Sequence, residues 1–395
     1  MVGTVDFDSV HDYRGTHSLK WDSHEKMKKP SNLLPLWVAD MDFQVLPEVE
    51  DALVALAKSG HYGYSMTCEG HHEAVQDWMQ QRHDWHIEPE WITVTCGVVF
   101  SFSLAIRTLT DEGDAVLIQS PVYYPFSMAI EDNRRRLVDS PLRLVDGHYE
   151  IDFDDMEAKM KSEKVKAFLL CSPHNPVGRV WTREELQRMA DLCEQYGVAV
   201  ISDEIHHDLV FAPHRHTPFS NLSGQSAKNS IICTAPSKTF NLAGLAHANV
   251  IISDLDLRRK FRRELRAVGM SDHATFSSVA CREAYRHGAP WVDQLLAYLR
   301  GNVDYLRVRL SEEMPRLKLI EPEGLYLTWV DARDLGLNNE ELEKFMIEDA
   351  ALWLDEGYIF GDAGSGFERF NLACPRATLA EALDRLAAAY RKRGF

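Results

Sequence analysis

Lys238 stands in IICTAPSKTFNLAGLAHANVII, on a Ser-Lys-Thr turn between two apolar runs. An amine held between buried strands loses hydration, so its pKa falls and its neutral form can attack a carbonyl carbon to make a Schiff base. Most lone interstrand lysines are loop residues with a surface stem whose charge stays in water. Two upstream segments favour the chemical reading. CSPHNPVG (171–178) follows the apolar run 165–170, and AVISDEIHHDLVF (199–211) sets Asp203 at the end of another. Open α/β sheets gather ligands at the C-terminal ends of their strands, so Asn175, Asp203 and Lys238 are expected to face one cleft.

The elements that must present these groups are legible as texture. DAVLIQS, KAFLLCS, VAVISDE, NSIICTA and HANVIIS are short, nearly continuous apolar runs, as strands buried on both faces require. Helical segments between several of them, such as 183–196, predict a largely parallel sheet covered by helices. WITVTCG reads as a strand entering an apolar helix over 98–109, and 47–59 carries Val49, Leu53 and Leu56 at helical spacing. After Ala289 the pattern changes. A helix over 291–313, strands over 317–320 and 325–330, and helices over 339–349 and 379–391 predict a smaller α+β unit. The expected fold class is therefore α/β, with a large domain at 56–289 and a small one at 290–395.

Composition narrows the partners. With 395 residues, 45% hydrophobic and 26% charged, the chain is globular and longer than one core usually supports. Lys+Arg 43 against Asp+Glu 60 gives −17, which disfavours nucleic acid and anionic membrane surfaces, so an anionic cofactor would need a local positive site. The seven cysteines form no C-x-x-C pair, as expected of free thiols in a reducing cytoplasm. The first 21 residues hold no apolar signal core, and no run approaches the length of a membrane span. Three histidine groups, His71-His72, His206-His207 and His214-x-His216, read as solvated loop or helix faces, and no metal is expected, since no His-x-x-x-His with a glutamate base occurs. Arg134-Arg135-Arg136 reads as a charged surface stretch.

Asn-Pro-x-Gly (175–178), Ser-Asp-Glu (202–204) and Ser-Lys-Thr (237–239) occur in the order and at the separations of the fold-type-I pyridoxal-phosphate (PLP) enzymes, and the chain resembles the class I/II aminotransferase superfamily. PLWVADMDF (35–43), YGYS (62–65), SPVYYPF (120–126), DEIHHDL and SKTFNLAGL are similar to its cystathionine β-lyase (C–S lyase) branch. The resemblance runs from about Trp37 to Arg376. It implies that segment 1–55 joins the small domain and that PLP is the cofactor, bound covalently by Lys238.

The same resemblance implies roles for further residues. Asp203 would hold the pyridine nitrogen protonated, Asn175 and His206 the ring's phenolic oxygen, and Tyr123 would stack on the ring, with Tyr124 its competitor. His206 is also readable as a satisfied core histidine. Gly97 and Val98, at a strand-to-helix turn, and Ser237 would receive the phosphate. Many superfamily members carry an arginine at the position of Ala246; here His247 follows instead, and the phosphate charge must be balanced otherwise. Arg376 in FNLACPRATL would clamp the substrate α-carboxylate through two parallel hydrogen bonds, and Trp37, Ala39 and Asp40 would line the mouth. Tyr64 would reach the phosphate of a neighbouring subunit in a homodimer. The implied reaction is α,β-elimination from a sulfur-containing amino acid, with Lys238 taking the Cα proton and thiol, pyruvate and ammonia as products. An aminotransferase using the same residues, and a regulator binding PLP or an amino acid without turnover, are the alternatives.

Overall fold

A computed structural model describes residues 4–270 and 275–395. Its centre is a seven-stranded sheet in the order Ile92–Thr95, Ala248–Ile251, Ile231–Thr234, Ala199–Asp203, Val165–Cys171, Ala115–Ile118 and Arg136–Asp139. Neighbours run parallel except at Ala248–Ile251, which is antiparallel to both strands beside it. The apolar runs work as expected of a doubly covered sheet. Phe168 and Leu170 enter one core and Ala167, Leu169 and Cys171 the other, because successive side chains point to opposite faces. Helix Val98–Leu109 buries Val98, Phe102, Ala105 and Ile106 in the second of these cores.

A second sheet is antiparallel: Lys318–Ile320, Leu327–Asp331, Phe367–Asn371 and Asp355–Glu356. The N-terminal segment joins this side of the molecule, Leu34–Pro35 pairing in parallel with Leu352–Trp353. Three local expectations shift. The helix expected over 339–349 is α-helical only as far as Lys344, and Phe345–Asp349 widens into a π turn. The strand expected over 325–330 lies at Leu327–Asp331, since Leu325 sits at φ 68° and cannot continue an extended ladder. The last helix starts at Arg376, directly after Pro375, rather than at Leu379.

Candidate active site

The ends of three adjacent strands converge on one cavity of about 280 Å³. Asp203 ends its strand, Cys171 leads into the turn that carries Asn175, and the strand Ile231–Thr234 leads into the turn that carries Lys238. The cavity is lined by Lys238, Asp203, Asn175, His206, Tyr123, Ser237, Gly97, Val98 and Ala39, nine of the residues singled out in the sequence. Neighbouring parallel strands end together, which is why residues distant in sequence meet here.

Lys238 Nζ donates to the Ala39 carbonyl at 2.7 Å, and burial lowers its pKa. Nearby Asp40 and Asp203 act in the opposite sense. Tyr326 donates its hydroxyl to the same carbonyl at 3.0 Å. The 37–40 segment is held against the site by side chains from two directions. Asn241, three residues past Lys238, accepts from Met41 N and donates to the Met41 and Phe43 carbonyls. Arg369 donates to the Trp37 carbonyl at 2.7 Å, and Asn371 to the Val38 and Asp40 carbonyls at 2.7 and 2.6 Å. Residues 369 and 371 share one face of a strand by its period of two.

Burial pushes the Asp203 carboxyl up to about 7, with Glu204 adding to the effect and Lys238 opposing it. Such an acid is poised to ionise against a cation placed beside it. Glu204, one residue on, faces away: it accepts from Ser202 Oγ, Phe219 N and His216. His206 is buried and kept neutral by that burial and by the charges of Lys238 and Arg369, and its Nδ1 has no hydrogen-bond partner. Burial likewise raises the Tyr123 hydroxyl, so the ring is a neutral aromatic wall. Tyr124 is half-buried and turns toward Phe360, at 5.9 Å.

At the opposite end, Gly97 caps helix Val98–Leu109 with φ 133°, a conformation that favours glycine, and a Cβ there would meet no atom within 4 Å. Val98 and Val99, the first residues of this helix, line the cavity with Gly97, and unpaired amides at a helix start suit an anion. His247 lines the cavity but supplies no cation. Burial lowers its pKa to about 4, and its nitrogens lie against His71, Asn249 and Ser277. This donor set fits PLP: an amine to carry it, a buried acid for its ring nitrogen, amide and imidazole nitrogens for its oxygen, and a helix start for its phosphate.

Four of the expected residues lie outside the cavity lining. Trp37 stacks its indole on Trp353 at 4.7 Å, so only its carbonyl turns toward Arg369. Asp40 acts on Lys238 through its charge. Tyr64 is 99% exposed, whereas Tyr62 bonds the Ala57 carbonyl of its own chain at 2.6 Å. Arg376 requires a correction. It opens the last helix, donates to Asn302 Oδ1 at 2.7 Å and lies over Tyr305, bracing that helix against Ala289–Glu313. The arginine beside the cavity is Arg369, 3% exposed, which donates to Asn175 Oδ1 at 3.1 Å and pairs with Asp355. Its Nε is buried without a partner. The signal for it was present in FERFN, a strand whose period of two aims an arginine inward among aromatics.

The histidines also depart from expectation: His71, His206, His207 and His216 are buried rather than solvated.

The profile of the family described as aminotransferase class I and II matches residues 31–386. The chain belongs to this family. Among class I and II relatives, it is 41% identical to cystathionine beta-lyase PatB of Bacillus subtilis (strain 168), over 98% of this chain and 100% of the relative. It is 40% identical to a PLP-bound putative aminotransferase from Clostridium difficile 630, TM-score 0.95, over 98% of this chain and 100% of the other. A PLP-bound C–S lyase from Staphylococcus hominis is 31% identical, with TM-score 0.90 and 97% of each chain covered.

Proposed function

We propose that this protein is a PLP-dependent carbon–sulfur β-lyase acting on a small sulfur-containing amino acid. The observation that carries the reading is the cavity that joins Lys238, Asp203, Asn175 and His206 in a member of this family, together with the likeness to relatives described as lyases. When bound, PLP supplies an electron sink for the negative charge left when the Cα proton is removed.

The chain's own residues do the rest. Lys238 carries the cofactor covalently, and its amine, once released, takes the Cα proton; its lowered pKa makes the neutral base available. Asp203 holds the ring nitrogen as a cation. Asn175 and His206 hold the ring oxygen, Tyr123 packs on the ring, and the amides of Gly97 and Val98 with the Ser237 hydroxyl hold the phosphate. Arg369, in place of Arg376, binds the substrate carboxylate, which orients the Cα–H bond for Lys238. The sulfur substituent then leaves Cβ as a thiol, and the released aminoacrylate takes up water to give pyruvate and ammonia.

Segment 1–55 and residues 290–395 form a small domain beside a PLP-binding domain at 56–289 in this reading. The working unit is a homodimer in a reducing cytoplasm, Tyr64 of each subunit completing its neighbour's phosphate site. The free cysteines and the exposure of Tyr64 support this, and no helix among the described residues is long and apolar enough to cross a membrane.

Transamination would employ the same residues, and the Clostridium relative's description favours it. Purified protein is incubated with cystathionine, following pyruvate and free thiol, and separately with an amino donor and 2-oxoglutarate, following glutamate. Pyruvate and thiol without comparable glutamate are expected; glutamate alone would replace the lyase reading with the transaminase one.

A further inference from the structure

Behind the Lys238 turn lies a group of side chains that the proposed reaction leaves unused. His83 ends helix His71–His83, while His207 and Asp208 follow His206 on the turn after strand Ala199–Asp203. His83 Nε2 lies 2.8 Å from Asp208 Oδ1, and His207 Nε2 lies 3.3 Å from Asp208 Oδ2. The three side chains are 6%, 1% and 0% exposed, respectively.

The tautomer of His207 is fixed by its other nitrogen. Nδ1 sits 2.6 Å from the Glu204 carbonyl, which can only accept, so Nδ1 carries the hydrogen. In the neutral ring Nε2 then bears a lone pair. That nitrogen is buried without a hydrogen-bond partner and faces a carboxylate oxygen. Two acceptors so placed in a buried site repel each other unless a cation lies between them.

We propose that His83 Nε2, His207 Nε2 and the Asp208 carboxylate hold a divalent transition-metal ion of the zinc type. Two imidazoles and one carboxylate suit Zn²⁺, Co²⁺ or Ni²⁺ rather than Mg²⁺ or Ca²⁺. Two of the three ligands are themselves oriented from behind, as metal ligands usually are. The Glu204 carbonyl holds His207, while Trp78 Nε1 at 3.0 Å and Thr239 Oγ1 at 2.8 Å hold Asp208. Access exists through a cleft of about 440 Å³ lined by His83, His207, Asp208, His214 and His216, through which water can complete the coordination. His216 is already committed to Glu204 at 2.9 Å, and His214 is an exposed rim residue. Thr239 directly follows Lys238, so the ion braces the turn that carries the catalytic amine; its role is structural. A second buried group, His71, His247 and Cys281, is arranged differently: His71 Nε2 and His247 Nε2 lie 3.1 Å apart, His247 and Cys281 bond to Ser277 and Asn249, and the unpartnered atom, His71 Nδ1, has no carboxylate of the group to face.

The test uses the full-length, PLP-loaded protein, stripped with a chelator, given Zn²⁺ and passed through a desalting column before elemental analysis. Wild type should retain one equivalent per chain and melt at a higher temperature than the stripped protein. His207→Gln should weaken retention about tenfold or more, while His214→Ala should not. No retained metal, or retention lost with His214 and kept without His207, overturns the proposal. If His207→Gln fails to fold, X-ray absorption on zinc-loaded wild type decides: nitrogen and oxygen neighbours with imidazole scattering support the site, and a sulfur neighbour overturns it in favour of the group containing Cys281.

Discussion

Arg369 donates to Asn175 Oδ1 across 3.1 Å. A guanidinium can only donate, so the contact sets the orientation of the Asn175 amide and leaves its Nδ2 hydrogens to donate elsewhere in the cavity. The same guanidinium holds the Trp37 carbonyl and the Asp355 carboxylate. One side chain thus ties the small antiparallel sheet, the N-terminal segment and the strand-end turn of the large sheet together. Ligand binding at Arg369 would be felt by all three.

For Lys238, borohydride treatment of the purified protein should attach the cofactor irreversibly to this residue, seen as a modified peptide by mass spectrometry. Lys238→Ala should retain PLP without covalent linkage and lose turnover by several orders of magnitude, since both the carrier and the base are removed. A modified peptide containing another lysine would refute the assignment.

The two arginines separate by kinetics. Arg369→Lys keeps the charge but not the planar fork, so KM should rise and kcat fall together. Arg376→Ala should leave KM near wild type and instead lower stability by about 1–2 kcal/mol through its lost bond to Asn302. The reverse pattern would restore Arg376 as the clamp.

Asp203 carries a pH signature in the cofactor-free protein. Its carboxyl is raised to about 7 by burial, so the folded form binds this proton more tightly than the unfolded chain. Its contribution is fully present below the ordinary carboxylate range and is lost as pH rises to about 7, by at most about 1.4 kcal/mol per pH unit. Urea midpoints from pH 4 to 8 should show that this loss is absent from Asp203→Asn. The PLP-loaded variant should turn over orders of magnitude more slowly than wild type. Equal pH slopes in the two cofactor-free proteins would mean that Asp203 is not buried as described.

Tyr64 is tested by mixing. Inactive Tyr64→Ala and Lys238→Ala subunits, allowed to exchange, should recover up to about one quarter of wild-type activity, since half of random pairs are mixed and each mixed pair holds one intact site. No recovery despite demonstrated exchange would confine Tyr64 to its own subunit.

Much of the site was legible because its parts obey local rules. Apolar runs followed by Asn-Pro, Asp-Glu and Ser-Lys-Thr mark strand ends, and parallel strands end on one side, so Asn175, Asp203 and Lys238 converge without any knowledge of the packing. The glycine turn at Gly97 was readable in the same way, whereas Tyr123 was indicated by the family resemblance. Other features depended on the tertiary structure. Which arginine reaches the cavity turns on where the strand Phe367–Asn371 stops and where the last helix begins, and on which strand face packs against residues 37–40. Trp37 carried the right backbone but the wrong side-chain direction, because its indole is claimed by Trp353. The antiparallel course of Ala248–Ile251 is invisible to an apolar pattern, which reports burial on two faces but not strand direction. The burial of His83, His207 and Asp208 against one another joins a helix end to a strand-end turn more than a hundred residues away. Residue types determined the chemistry available to this chain; long-range packing decided which copies of those types meet.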